Sequence, residues 1–291
     1  MRLPFQERLT APGVIVADGA TGTMFLEAGL PRGVPSERWN LETPDRVIAL
    51  YRAYLEAGSE LVLTNTFGGS PVKLARAGLE GNTHEVNRRA AELARQAAGE
   101  DRYVAGDIGP TGQLMKPLGR LTYDVAVDGF ARQATALAEG GADVIWIETM
   151  GDLEEARAAV EGAMQVTDLP IVVTMSFDHH RRTQMGVAPA QAARTFWDMG
   201  VVATGGNCGK TLEDMEAVIQ QMREAVPEAV LVAKPNAGLP RLVDDQTVYD
   251  TSPEEMADFA RRFVALGVKI VGGCCGSTPV HLAAIAAAVR Q

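Results

Sequence analysis

Val144-Ile145-Trp146-Ile147-Glu148-Thr149 passes from four apolar residues straight into a carboxylate and a hydroxyl. Three of the four are β-branched and none is polar, as in a strand covered on both faces of a parallel sheet. Similar runs occur at Val14-Ile15-Val16-Ala17, Leu61-Val62-Leu63-Thr64, Tyr103-Val104-Ala105-Gly106 and Ile171-Val172-Val173-Thr174. Three more follow at Val201-Val202-Ala203-Thr204, Val230-Leu231-Val232-Ala233 and Val268-Lys269-Ile270-Val271. The intervals carry helix punctuation. Ser252-Pro253-Glu254-Glu255 offers an N-cap, a first-turn proline and a capping-box glutamate, and Met256, Phe259, Ala260 and Phe263 follow at helical spacing. Thr278-Pro279 and Thr211 with Asp214 open two more helices in the same way. Gly58, Gly141, Gly200 and Gly267 stand where helices should stop before the next strand.

Strand and helix alternating eight times predict an α/β fold, a single (β/α)8 TIM barrel. The competing open, doubly wound sheet would want a G-x-G-x-x-G turn after an early strand. Asp18-Gly19-Ala20-Thr21-Gly22-Thr23 does not have that spacing. No Pro/Gly/Ser-rich linker divides the chain, so residues 1–291 are expected to form one domain. Residues 31–42 and 107–122 are expected to be long loops.

With 46% hydrophobic and 22% charged residues, the chain is neither disordered nor a small disulfide scaffold. Its net charge of −10 disfavours nucleic acid and anionic membrane as partners. The basic pairs Arg88-Arg89, Arg181-Arg182 and Arg261-Arg262 are too short to reverse that. There is no apolar signal core near the start and no run long enough to span a bilayer. Three cysteines are too few, and odd in number, for a secreted disulfide framework. The expectation is a cytoplasmic protein with free thiols.

In a parallel barrel, chemistry sits at the carboxyl ends of the strands. All three cysteines fall there: Cys208 in Gly206-Asn207-Cys208-Gly209, and Cys274 and Cys275 in Gly272-Gly273-Cys274-Cys275-Gly276. Three thiolates make a tripod for Zn²⁺ with a fourth position open to substrate. Three inert buried thiols are the plain alternative, but sharing one rim argues against it. A Cys274-Cys275 redox pair would close only a strained ring. Two near-motifs fail on spacing or identity. Gly205-Gly206-Asn207-Cys208-Gly209-Lys210-Thr211 has one residue too few for a P-loop. Asp178-His179-His180-Arg181-Arg182-Thr183 has threonine where a corrinoid-ligand motif has glycine. His84 and His281 sit at helical positions and are read as surface or packing residues.

Asp18 and Glu148 each follow an apolar strand directly and should point into the barrel mouth, where two carboxylates suit an ammonium group. Asn207 and Asn236 could add neutral hydrogen bonds. The backbone N–H groups of Gly19-Ala20 and Thr66-Phe67 could hold a carboxylate. Together these describe an amino acid that ends in a thiol.

The segments 18–23, 64–67, 147–149, 206–208 and 272–276 resemble the homocysteine S-methyltransferase family over nearly the whole chain. The resemblance implies a zinc-centred barrel that methylates homocysteine to methionine, with Cys208, Cys274 and Cys275 as zinc ligands. It implies homocysteine-binding positions at Asp18, Glu148 and the turn containing Thr66, and also at Asn236. No catalytic group is expected beyond the substrate thiolate held on the zinc. Pro235-Asn236-Ala237-Gly238-Leu239-Pro240 is most similar to the homocysteine module of the cobalamin-dependent branch. The 291 residues hold no recognisable corrinoid or folate domain. The expected methyl donor is therefore methylcobalamin, free or on a separate corrinoid protein. A small onium donor is the runner-up. It would need aromatic faces near the zinc, for which Phe67, Tyr123 and Phe177 are the candidates. Two further readings are a zinc barrel that only presents a thiol to a partner corrinoid enzyme and a structural zinc protein, which would show a fourth protein ligand.

Overall fold

The strands of the computed structural model are β1 (Ile15–Val16), β2 (Leu61–Leu63), β3 (Tyr103–Ile108), β4 (Val144–Met150) and β5 (Ile171–Met175). Then come β6 (Ala203–Cys208), β7 (Leu231–Pro235), the short β8 (Arg241–Val243) and β9 (Gln246–Val248), and β10 (Val268–Val271). Residues 2–178, 180–243 and 246–290 are described; His179, in the polar loop after β5, lies outside them. Eight strands form one sheet in the order β1-β10-β7-β6-β5-β4-β3-β2, and every pairing in it is parallel. Helices between consecutive strands cover its outer face. The architecture is the (β/α)8 barrel that the alternation predicts.

Helix boundaries fall where the side chains that end them predict. Ser252 and Glu255 form a complete capping box on the helix Pro253–Ala265. The Thr211 hydroxyl accepts the Asp214 N–H at the start of Leu212–Ala225. Gly58, Gly141, Gly200 and Gly267 all take positive φ after helices, a conformation glycine reaches without a Cβ clash.

Alternation within the strands sorts residues into two layers. Ile15, Ala17, Leu61, Leu63, Trp146 and Val232 belong to the cluster that fills the barrel. Their neighbours Val16, Val62, Ile145 and Ile147 face the helices. Phe5 and Leu9, on the helix Phe5–Thr10, join the interior cluster and stop the amino end of the barrel.

The seam between β1 and β2 has no regular ladder. It is held by Glu60 N–H donating to the Val16 carbonyl (2.7 Å), the Ser59 hydroxyl donating to the Ala17 carbonyl (3.1 Å), and Leu63 N–H donating to Asp18 Oδ2 (2.7 Å). Asp18 Oδ1 receives Lys234 Nζ from β7 at 2.8 Å. One carboxylate thus joins three strands.

Three local expectations change. Residues 31–42 are not all loop, because Ser36–Arg38 is a 3-10 turn and Trp39–Glu42 a helical turn. The sixth strand begins at Ala203 and runs on through Gly205, Gly206 and Asn207 to Cys208. The glycines read as a loop are strand residues there, and a Cβ at Gly205 would lie 1.9 Å from the Val232 carbonyl oxygen. The β8–β9 hairpin was not foreseen.

Lys234→Met should cost about 3–5 kcal/mol, since it strands a buried carboxylate at the seam. Urea unfolding measures this, and Asp18→Asn combined with Lys234→Met should recover much of the loss.

Candidate active site

Inward-facing positions recur every second residue, and at the carboxyl end of the barrel they turn polar. On β3 the series Tyr103, Ala105 leads to Asp107; on β4 Val144, Trp146 leads to Glu148; on β7 Val232 leads to Lys234. Asp107 (4% exposed), Glu148 (9%) and Lys234 (2%) line a cavity of about 400 Å³. Cys208, Cys274, Cys275, Gly19, Thr149 and Phe67 share its wall.

The three sulfurs lie within 4.8 Å of one another, and Cys208 and Cys274 approach to 2.9 Å. Backbone bonds aim the paired cysteines: Cys274 N–H donates to the Pro235 carbonyl (2.7 Å) and Ala237 N–H to the Cys275 carbonyl (2.9 Å). A Cβ on Gly273 would meet the Ser277 hydroxyl at 2.3 Å, so that position accepts only glycine. Hydrogen bonds from Cys208 and Cys274 push the Cys275 thiol down to about 3. Hydrogen bonding to Cys274 and Cys275 pushes the Cys208 thiol well up. Three sulfurs this close cannot all ionise unless a cation sits among them. Tetrahedral zinc with Zn–S of about 2.3 Å spaces its thiolates by about 3.8 Å, within the separations found here. The donor set fits a metal.

Asn207 lies behind this tripod and does not line the cavity. Its Oδ1 accepts the Thr149 N–H and the Thr174 hydroxyl, both at 2.8 Å. Its Nδ2 donates to the Thr149 hydroxyl (2.6 Å) and points at the sulfurs of Cys208 (3.6 Å) and Cys274 (3.8 Å). Thr149 and Cys208 both have left-handed backbone, at φ 60° and 58°. That conformation costs a β-branched residue most, and the Asn207 amide braces both ends. Asn236 donates to the Gly209 carbonyl at 2.9 Å, and its buried Oδ1 has no partner among the described residues.

The remaining expected residues are distributed as follows. Gly19 is packed so closely that a Cβ would lie 2.7 Å from the Ser277 hydroxyl and 2.8 Å from Leu282. Thr66 is under the cavity floor; its hydroxyl donates to the Asp107 carbonyl at 2.7 Å. Asp18 is 1% exposed and uses both oxygens within the protein. Glu148 accepts no hydrogen bond among the described residues, and its Oε2 is buried without a partner. Burial raises its pKa to about 8; Lys234 opposes the rise, while Cys274 and Asp18 add to it. Burial works against protonated Lys234, but the charges of Asp18 and Glu148 outweigh it and hold its pKa above the ordinary value.

The sequence patterns do not single out Asp107 or Lys234. The signal was present: each stands two residues beyond an inward apolar residue.

A parallel (β/α)8 barrel with a thiol-rich, metal-competent centre and free carboxylates in one cavity defines a class of thiol-handling barrel. The comparisons narrow it. Residues 15–289 match the family model for homocysteine S-methyltransferase. Methionine synthases of Mycobacterium leprae and Mycobacterium tuberculosis are each 33% identical over 97% and 96% of this chain. The chain spans about a quarter of the length of those relatives (25% of each). Among solved structures, the homocysteine methyltransferase MmuM from Escherichia coli superposes with a TM-score of 0.83 in its metallated form. That match is at 23% identity and covers 99% of this chain and 100% of that one. The oxidised form gives 0.84 at 22% identity, covering all of both chains. This chain belongs to the homocysteine S-methyltransferase family. No helix among the described residues is long and apolar enough to cross a membrane.

Two outcomes are expected. Asn207→Ala should weaken metal affinity about 10–100-fold, the usual cost of losing a group that orients metal ligands, as read by competition with a chromophoric chelator. Glu148 holds a proton in the folded protein that the unfolded chain releases between pH 4.5 and about 8. Its effect on stability therefore becomes less favourable as pH rises through that window. Metal-free Glu148→Gln should melt about 2–4 °C or more above the parent at pH 8, and the gap should close near pH 4.5.

Proposed function

We propose that this chain transfers a methyl group to the sulfur of homocysteine, giving methionine, with Zn²⁺ held by Cys208, Cys274 and Cys275. The observation that carries this reading is the convergence, in one cavity, of three thiols and buried carboxylate oxygens that have no partner among the described residues. When bound, zinc lowers the pKa of a thiol and so supplies a thiolate nucleophile at neutral pH. The chain's own groups do the rest. Glu148 receives the substrate ammonium. The Gly19 and Phe67 N–H groups, which have no partner among the described residues, face its carboxylate. Asp18, Thr66, Asn207 and Asn236 position these groups. The bond that forms is S–CH₃, and the donor keeps the electron pair of the bond that breaks. Holding the reactants in line contributes much of the acceleration.

The donor we favour is methylcobalamin, free or on a separate corrinoid protein. A small onium donor wants open aromatic faces. Of the three candidates only Phe67 lines the cavity, and Lys73 Nζ already sits 4.2 Å from its ring centre. Phe177 is buried in the core, and Tyr123 donates its hydroxyl to Glu161 at 2.8 Å. The reading places the whole of residues 1–291 in one homocysteine-binding unit, working in the reducing cytoplasm.

The test is a donor panel with homocysteine, following methionine by mass spectrometry. Methylcobalamin should support turnover; glycine betaine, S-methylmethionine and simple sulfoniums should not. Turnover with a small onium compound and none with methylcobalamin would overturn the donor assignment alone. Cys208→Ala should lose most of its zinc and its activity while keeping the barrel's circular dichroism. Full zinc occupancy and full turnover in that variant would overturn the metal assignment.

A further inference from the structure

Among the described residues that line the cavity, Phe67 is the one aromatic side chain, and Lys73 and Lys234 are the cations. Lys234 is paired with Asp18 at 2.8 Å. Lys73 makes no ion pair among the described residues; its Nζ stands over the Phe67 ring, 4.2 Å from the centre. Both members of this contact are held in place. A Cβ at Gly109 would lie 2.5 Å from Phe67 Cδ2, so backbone packs against the ring, and Gly109 N–H donates to the Phe67 carbonyl at 3.1 Å. Lys73 lies on the short helix Pro71–Leu74, where the Ser70 hydroxyl accepts its N–H at 3.3 Å and Leu74 is buried. Burial lowers the Lys73 pKa, and the charges of Glu37 and Asp107 oppose that. Glu37, 4% exposed, is itself fixed by accepting the Gly68 N–H. An aromatic face in a cavity that three acids, Glu37, Asp107 and Glu148, also line is what recognises a quaternary ammonium or a sulfonium. Here the protein's own ammonium fills it.

We infer that Lys73 is a donor-specificity residue: its ammonium occupies the aromatic face of the cavity as a built-in cation and shuts out small onium ions. This rests on the donor reading above and deepens it, by naming the side chain that turns the competing class of donor away. Loss of the lysine charge would uncover the ring and leave the three acids facing it. A donor whose methyl group is not carried on an onium centre escapes the exclusion.

The test uses tetramethylammonium, an onium ion that gives up a methyl group poorly, titrated by calorimetry into the full chain, metal-free and zinc-loaded. Lys73→Met should bind it about 10-fold or more tightly than the unmodified protein, the size of a desolvated cation–π contact. Lys73→Arg, which keeps the charge, should bind it like the parent. Adding Phe67→Leu to Lys73→Met should abolish the gain. Lys73→Gln carries the same expectation should the methionine variant fail to fold. No gain on removing the charge, or a gain that survives loss of the ring, would overturn the assignment. Failure of methylcobalamin to support turnover in the unmodified protein is read separately. It would remove the donor reading and leave the tetramethylammonium comparison to decide the role of Lys73.

Discussion

The Asp18–Lys234 pair, 2.8 Å long and almost wholly buried, is the contact on which the rest of the site depends. A (β/α)8 barrel must close its first strand onto its second, and here the ladder is missing at that seam. Asp18 takes the place of a backbone carbonyl for Leu63 N–H, and Lys234 neutralises the charge that this puts in the interior. A buried pair of this kind adds little stability over an apolar substitute. It does set geometry. Lys234 lies against the Trp146 ring, 5.4 Å from its centre. The backbone carbonyl of Asp18 accepts Gly273 N–H at 3.0 Å, one residue before the paired cysteines. Closing the barrel and aiming the thiols are therefore one arrangement.

Asn207 plays the corresponding part on the other side of the tripod. It bridges β4 and β6 through Thr149 and Cys208, both in left-handed backbone. Strain of this kind persists only where surrounding bonds over-determine it. Five hydrogen-bonding contacts of one buried amide meet that condition. The result is a cysteine whose direction is set before any metal arrives, which reduces the ordering that binding must impose.

The barrel was legible because its signal is local and repeated. Each strand is a short apolar run, each helix has its cap or its glycine, and eight repetitions leave little freedom. The cysteines were legible for a related reason: their place after strands six and eight puts them on one rim whatever the register. Element edges were less so. Gly205 and Gly206 look like loop residues by composition, but they are strand because the neighbouring Val232 backbone leaves no room for a Cβ. Trp39–Glu42 carries no strong cap and is helical through its packing, with Trp39 and Asn40 buried.

The carboxylates mark where reading from the chain stops. Asp18, Asp107 and Glu148 look alike in sequence: each follows an apolar run at a strand end. Which of them is free for a ligand depends on which one a lysine reaches, and Lys234 lies 216 residues beyond Asp18. No local pattern carries that information; it exists only once the barrel has set β7 between β6 and β10, one strand away from β1. The same holds for charge. In isolation Lys234 would seem a ready partner for a substrate carboxylate, but inside the barrel it is consumed by closure. That leaves Asp107 and Glu148 at the cavity wall, each with a buried oxygen that has no partner among the described residues. The electrostatics of closure thus decide which acids stay open to the cavity, and not only how stable the fold is.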